Sequence, residues 1–135
     1  MRFNKLVPEL CVSNLKKSLQ FYIGVLGFRL EYQREEEKFA FVSYEGSQMM
    51  LGENSEWKTA KLEYPFGRGI NFQIEVSDAG SVLERLEKNE YPIKIGLKDN
   101  WYRKDKKLLG VREFLVLDPD GYLLRFSQSL GQKSV

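Results

Sequence analysis

The sequence predicts an α+β fold of two βαβββ modules on three observations: an internal repeat, helical apolar spacing behind a polar cap in each copy, and strand-like runs after each helix. Residues 11–22 (Cys-Val-Ser-Asn-Leu-Lys-Lys-Ser-Leu-Gln-Phe-Tyr) align with residues 75–86 (Glu-Val-Ser-Asp-Ala-Gly-Ser-Val-Leu-Glu-Arg-Leu), an offset of 64 (75 − 11). Asn14 and Asp78 suit N-caps, because their side-chain oxygens can accept from the free N–H groups of a first helical turn. Behind them Leu15, Leu19 and Tyr22, then Ala79, Val82, Leu83 and Leu86, recur at helical spacing. Strands are expected at about 28–35, 38–45 and 47–53 in the first half. In the second half they are expected at about 92–97, Val111 to Leu117 and Tyr122 to Ser127. Gly46 and Asp118-Pro119-Asp120-Gly121 supply turns. The modules span about 4–54 and 68–129, joined by 55–67, in one domain; two unrelated α+β halves would give the same pattern.

Size and composition narrow the function. The chain has 135 residues and is 42% hydrophobic, enough for a core without disulfides or metal. Lys plus Arg number 21 against 19 Asp plus Glu, both signs interspersed, so nucleic acid is not an expected partner. Cys11 is the one cysteine and cannot form an intrachain disulfide, no apolar signal segment follows Met1, and no run approaches the roughly 20 apolar residues of a membrane span. A cytoplasmic location is expected, with no membrane partner. There is no histidine. A zinc, nickel or non-haem iron site would need carboxylates and carbonyls alone, and Ser-His-Asp and Cys-His catalysis are excluded, while Mg²⁺ or Ca²⁺ is not.

Strand alternation assigns faces. Leu6, Leu10 and Val12 are expected to pack on the helix, with Val7, Glu9 and Cys11 opposite. In the repeat Phe72, Ile74 and Val76 face inward, and Asn71, Gln73 and Glu75 share the other face. That mixed-polar face is either the wet back of an open sheet or part of a concave cup.

The stretch Val12-Ser13-Asn14-Leu15-Lys16-Lys17-Ser18-Leu19-Gln20-Phe21-Tyr22 with Leu26-Gly27-Phe28 resembles the opening motif of glyoxalase and bleomycin-resistance proteins. Arg112 to Phe126, containing Asp118-Pro119-Asp120-Gly121, is similar to the closing strands of that vicinal oxygen chelate superfamily. The resemblance covers nearly the whole chain and implies a curved mixed sheet forming a cup. It places the metal-ligand positions of the family's enzymes on Val7, on Met50 or Gly52, on Asn71 and on Arg125, none a credible ligand, with Glu9, Glu53 and Glu75 at other registers. No cofactor and no metal are therefore expected, and no catalytic residue is assigned.

The branch that remains sequesters drugs. The resemblance implies a homodimer holding a bleomycin-like antibiotic in a groove between subunits, stacked on aromatic side chains. The candidate ligand-binding residues are Phe39, Phe41, Trp57, Trp101, Tyr102, Glu9, Asn71, Gln73 and Arg125, with Trp101-Tyr102 in a long loop before Gly110. Core packing is the competing role for Phe39 and Phe41, and an ion-paired surface site that for Arg125. A sequence pI near 8.6 suits a cationic drug poorly, although Glu9, Glu53 and Asp99 could face one locally. A lyase or oxygenase with an unusual divalent-metal site, and a metabolite-binding module, are the alternatives.

Overall fold

The computed structural model describes residues 1–53 and 56–135. These residues form two compact units, Met1–Arg68 with Asp118–Gly121, and Gly69–Leu117 with Tyr122–Val135. Each contains a four-stranded mixed sheet and the order βαβββ. The first module's expected end at 54 and the linker's start at 55 lie outside the described residues.

In the first unit β1 (Glu9–Val12) leads into α1 (Leu15–Leu19), which continues as a π-helical turn over Gln20–Val25. Then come β2 (Arg29–Arg34), a 3₁₀ turn (Glu35–Glu37), β3 (Phe39–Tyr44) and β4 (Ser47–Glu53), with sheet order β1-β4-β3-β2. Strand β1 runs parallel to β4, because the helix carries the chain back to the same end of the sheet, and the hairpin neighbours are antiparallel. Registers Leu10↔Leu51, Ala40↔Leu51 and Val42↔Met49 put these side chains on one buried face, in the core that also takes Leu15, Tyr22 and Leu26. The turn Asp118–Gly121 belongs to this unit: Ser13 N and Oγ donate to Asp120, and the Tyr22 hydroxyl donates to Asp118 Oδ2 at 2.8 Å. Gly121, at φ +90°, lies so near Pro65 that an added Cβ would stand 2.6 Å from the Pro65 Cα. Both its conformation and its space require glycine.

The second unit holds β5 (Asn71–Glu75), α2 (Ala79–Lys88), β6 (Ile95–Lys104), β7 (Lys107–Leu117) and β8 (Leu123–Ser134), in sheet order β5-β8-β7-β6. Its core is Ile74, Val76, Val82, Leu86, Val116 and Leu124, with Phe114 and Phe126 stacked at 5.4 Å. The repeat is visible in the caps. Asn14 Oδ1 accepts from Lys17 N at 3.1 Å and Asp78 Oδ1 from Ser81 N at 3.2 Å, both capping residues being extended.

Three expectations change. Leu6 is 86% exposed and precedes β1, which starts at Glu9, so it does not pack on the helix. Strand β6 covers 95–104 instead of about 92–97, so Trp101 and Tyr102 sit in a strand of a three-stranded ribbon, not in a long loop. As an edge strand wet on both sides, β6 needs no apolar alternation, and Lys98-Asp99-Asn100 and Arg103-Lys104 hide it from a hydrophobicity reading. Finally, β7 begins at Lys107, closing a hairpin with β6 through Asp105-Lys106, where Asp105 takes a positive φ of 56°, and β8 reaches Ser134.

Candidate functional site

In the first unit, β3 sends Ala40 and Val42 into the core and Phe39 and Phe41 to the opposite face. Both phenylalanines are buried, Phe39 8% and Phe41 2% exposed, and Tyr32 lies against both rings. Phe41 is stacked on Tyr32 at 5.3 Å and met edge-on by Phe3 at 5.4 Å. Phe3 is brought there by an N-terminal segment tied to β4: Asn4 N donates to Gln48 Oε1, and Gln48 Nε2 donates to the Arg2 carbonyl. Phe41 thus packs beneath other side chains and is no ligand surface in this fold.

Phe39 lines an open cleft of about 480 Å³. Its register partner on β4 is Gly52, which has no side chain to crowd the ring. Glu9 from β1, Glu53 from the end of β4, Glu37 from the 3₁₀ turn, and Glu56 and Trp57 beyond β4 complete the lining, with Arg34 from β2. The cleft is acidic in a chain of formal charge +2. Glu53 is partly engaged, its Oε2 accepting from Leu15 N at 3.0 Å and its Oε1 standing 3.8 Å from Lys38 Nζ. Arg34 donates from Nε to Glu37 Oε2 at 2.7 Å, which holds the guanidinium pKa above its ordinary value, and its Cζ lies 4.0 Å over the centre of the Phe39 ring.

The second unit carries a polar cluster on the sheet face opposite α2's core. Glu113 on β7 is 3% exposed, and its Oε2 accepts from the Tyr102 hydroxyl and, at 2.8 Å, from Asn100 Nδ2. Arg125 on β8 places Nε 3.7 Å from Glu113 Oε1 and donates from Nη2 to Gln73 Oε1 at 2.6 Å, Gln73 being its register partner on β5. The hydrogen bond to Glu113, reinforced by burial, raises the Tyr102 phenol pKa. Asn71 is exposed two residues before Gln73 on the same face.

Trp101 and Tyr102 face opposite sides of the sheet, so they cannot form one stacking pair. Trp101 lies across Gly110, where an added Cβ would meet its ring carbons at 2.6 Å, and Lys133 Nζ sits 4.0 Å from its ring centre. Asp99 is engaged by Arg112 through two hydrogen bonds of 2.8 and 3.1 Å, which lower its pKa and remove it as a partner for a cation. Glu37, Arg34, Glu113 and Asn100 were not singled out in the sequence. The available signal was Glu113, the one carboxylate in β7, on the run Val111, Glu113, Leu115 of the face opposite the core.

A family model, Glyoxalase/Bleomycin resistance protein/Dioxygenase superfamily, matches residues 2–126. The chain belongs to this superfamily. Bleomycin resistance protein of Geobacillus stearothermophilus is 28% identical, over 92% of this chain and 96% of its own length, and the Staphylococcus aureus protein of the same name matches equally. Lactoylglutathione lyase of Neisseria meningitidis is 32% identical, over 87% of this chain and 84% of its own. Among solved structures, TioX from Micromonospora sp. ML1 superposes with a TM-score of 0.72 at 21% identity, covering 94% of this chain and all of TioX, which supports the fold.

The ligand positions of the superfamily's metal enzymes do not fit a divalent ion here. Val7 and Met50 offer no hard donor, Gly52 has no side chain, Asn71 offers only an amide, and Arg125 brings a cation already paired with Gln73 and Glu113. Among the described residues, no three His, Cys, Asp or Glu side chains are grouped as a metal site requires.

Proposed function

We propose that this superfamily member binds and sequesters a flat, cationic small molecule of the bleomycin type without chemically altering it. The acidic aromatic cleft around Phe39 takes the ligand's cationic part. The observation that carries this reading is the local inversion of charge: Glu9, Glu37, Glu53 and Glu56 gather with Phe39 and Trp57 in a chain that is basic overall. Carboxylates supply attraction and ring faces supply rigid contact area with a negative quadrupole. The relatives named bleomycin resistance protein, aligned over almost their full length, support the same class of ligand. In this proposal the working form is a cytoplasmic homodimer with the ligand in a groove between subunits. The second unit offers two surfaces of its own for a small molecule in this proposal: Asn71, Gln73, Tyr102 and Arg125 supply hydrogen bonds on one sheet face, and Trp101 a stacking ring on the other.

Titration of the protein with Cu²⁺-phleomycin, followed by tryptophan fluorescence, tests the reading. Saturable quenching at micromolar ligand is expected, and Trp57→Phe should remove most of the signal. No saturable change would count against a drug-binding role, and a monomer by light scattering would remove the groove. The likeness to lactoylglutathione lyase favours a second reading, a metal-dependent enzyme. Stoichiometric divalent metal in protein purified without chelator would establish it over the first.

A further inference from the structure

The cleft already holds a planar cation, supplied by the chain itself. Arg34 ends the edge strand β2, is 43% exposed, stacks over Phe39 and donates to Glu37. These are the two contacts that a bound planar cation would use, a ring face below and a carboxylate at the side. We propose that Arg34 is an internal competitor in the cleft, and that the group it stands in for is a guanidinium or amidinium of the ligand. This inference rests on the proposed cation-binding role of the same cleft.

Several features suit Arg34 to leaving and returning. Its anchor Glu37 sits in an exposed 3₁₀ turn ended by Lys38 at a positive φ of 51°, so few core contacts depend on the pair. An exposed ion pair and an exposed cation–π contact are each weak, and a bidentate ligand cation replaces both without ordering a long side chain from a strand end. A ligand that brings its own cation and its own flat surface displaces Arg34, whereas a lone ammonium such as a lysine side chain gains only the carboxylate. The displacement cost is common to every ligand that evicts Arg34, so the competitor sets an affinity floor, which a lone ammonium, gaining only the carboxylate, clears less readily than a flat guanidinium-like group.

Benzamidine, a flat amidinium, is the probe. It is titrated by calorimetry into the unmodified protein and into its Arg34→Gln form, with thermal melting confirming that both fold. Removal of the competitor is expected to tighten benzamidine binding about tenfold, the combined size of the two contacts it gives up. Neutral benzamide should bind neither form measurably. In the protein with Arg34 intact, the Arg34 Nε–H resonance should lose its protection by Glu37 as benzamidine saturates. Equal or weaker binding by the Arg34→Gln form overturns the competitor role and leaves the cation cleft standing. If neither form binds, both the competitor and the cleft reading fall.

Discussion

Tyr22 and Asp118 are 96 residues apart in the chain, yet the phenol donates to the carboxylate at 2.8 Å with both groups out of water. A buried carboxylate that loses a donor keeps its desolvation cost, so Tyr22→Phe should destabilise by about 1.5–3 kcal/mol in urea denaturation with an unchanged slope. Tyr102 makes the related contact to Glu113, but from a half-exposed position, so its signature is in titration. Its phenol pKa is raised first by the hydrogen bond to the carboxylate and then by burial. A raised folded value means that the contact stabilises fully below the ordinary phenol pKa of about 10 and is lost as pH rises through the folded value. In an ultraviolet titration at alkaline pH, Tyr102→Phe should remove one late ionisation step. If the late step survived, it would belong to another tyrosine.

At the scale of elements, the ribbon of β6, β7 and β8 decides where the aromatic pair goes. Strand alternation sends Tyr102 to the polar cluster and Trp101 to the other face, across Gly110. Gly110→Ala would drive a methyl group into the indole, whose far end is free to swing outward. The expected result is a red-shifted tryptophan emission with a loss of stability near 1 kcal/mol, because the ring and not the backbone gives way. Unchanged emission would show that Trp101 does not rest on this glycine. The paired N-caps at Asn14 and Asp78, and the helical spacing behind them, were readable because capping and amphipathicity are local. Strand β6 was not, since a strand exposed on both faces at a sheet edge carries no hydrophobic period.

For the whole chain, net charge is a poor guide to the ligand. The first unit carries ten Lys and Arg against eleven Asp and Glu, and the second carries eleven against eight, so the basic pI belongs to the second unit. A ligand held by exposed carboxylates in the first should bind more weakly as salt rises, since the screening length falls from about 10 Å at 0.1 M to about 3 Å at 1 M. A several-fold loss of Cu²⁺-phleomycin affinity over that range is expected from fluorescence titration. Affinity indifferent to salt would assign the binding to stacking alone.

The sequence by itself determined the repeated βαβββ order, the membership of the superfamily through its two end motifs, and the candidacy of Glu9, Phe39 and Trp57, because local periodicity and motif chemistry are written residue by residue. Only the tertiary structure decided that Phe39 borders a cleft while Phe41 is covered by Phe3 and Tyr32. It also showed that Arg34 and Glu37 belong with Phe39, and that Gln73, Asn100, Tyr102, Glu113 and Arg125 meet on one sheet face. Those facts follow from strand register and from what a distant segment happens to cover. A run such as Arg34-Glu35-Glu36-Glu37 reads as a solvated charged turn until the ring beneath it is in place.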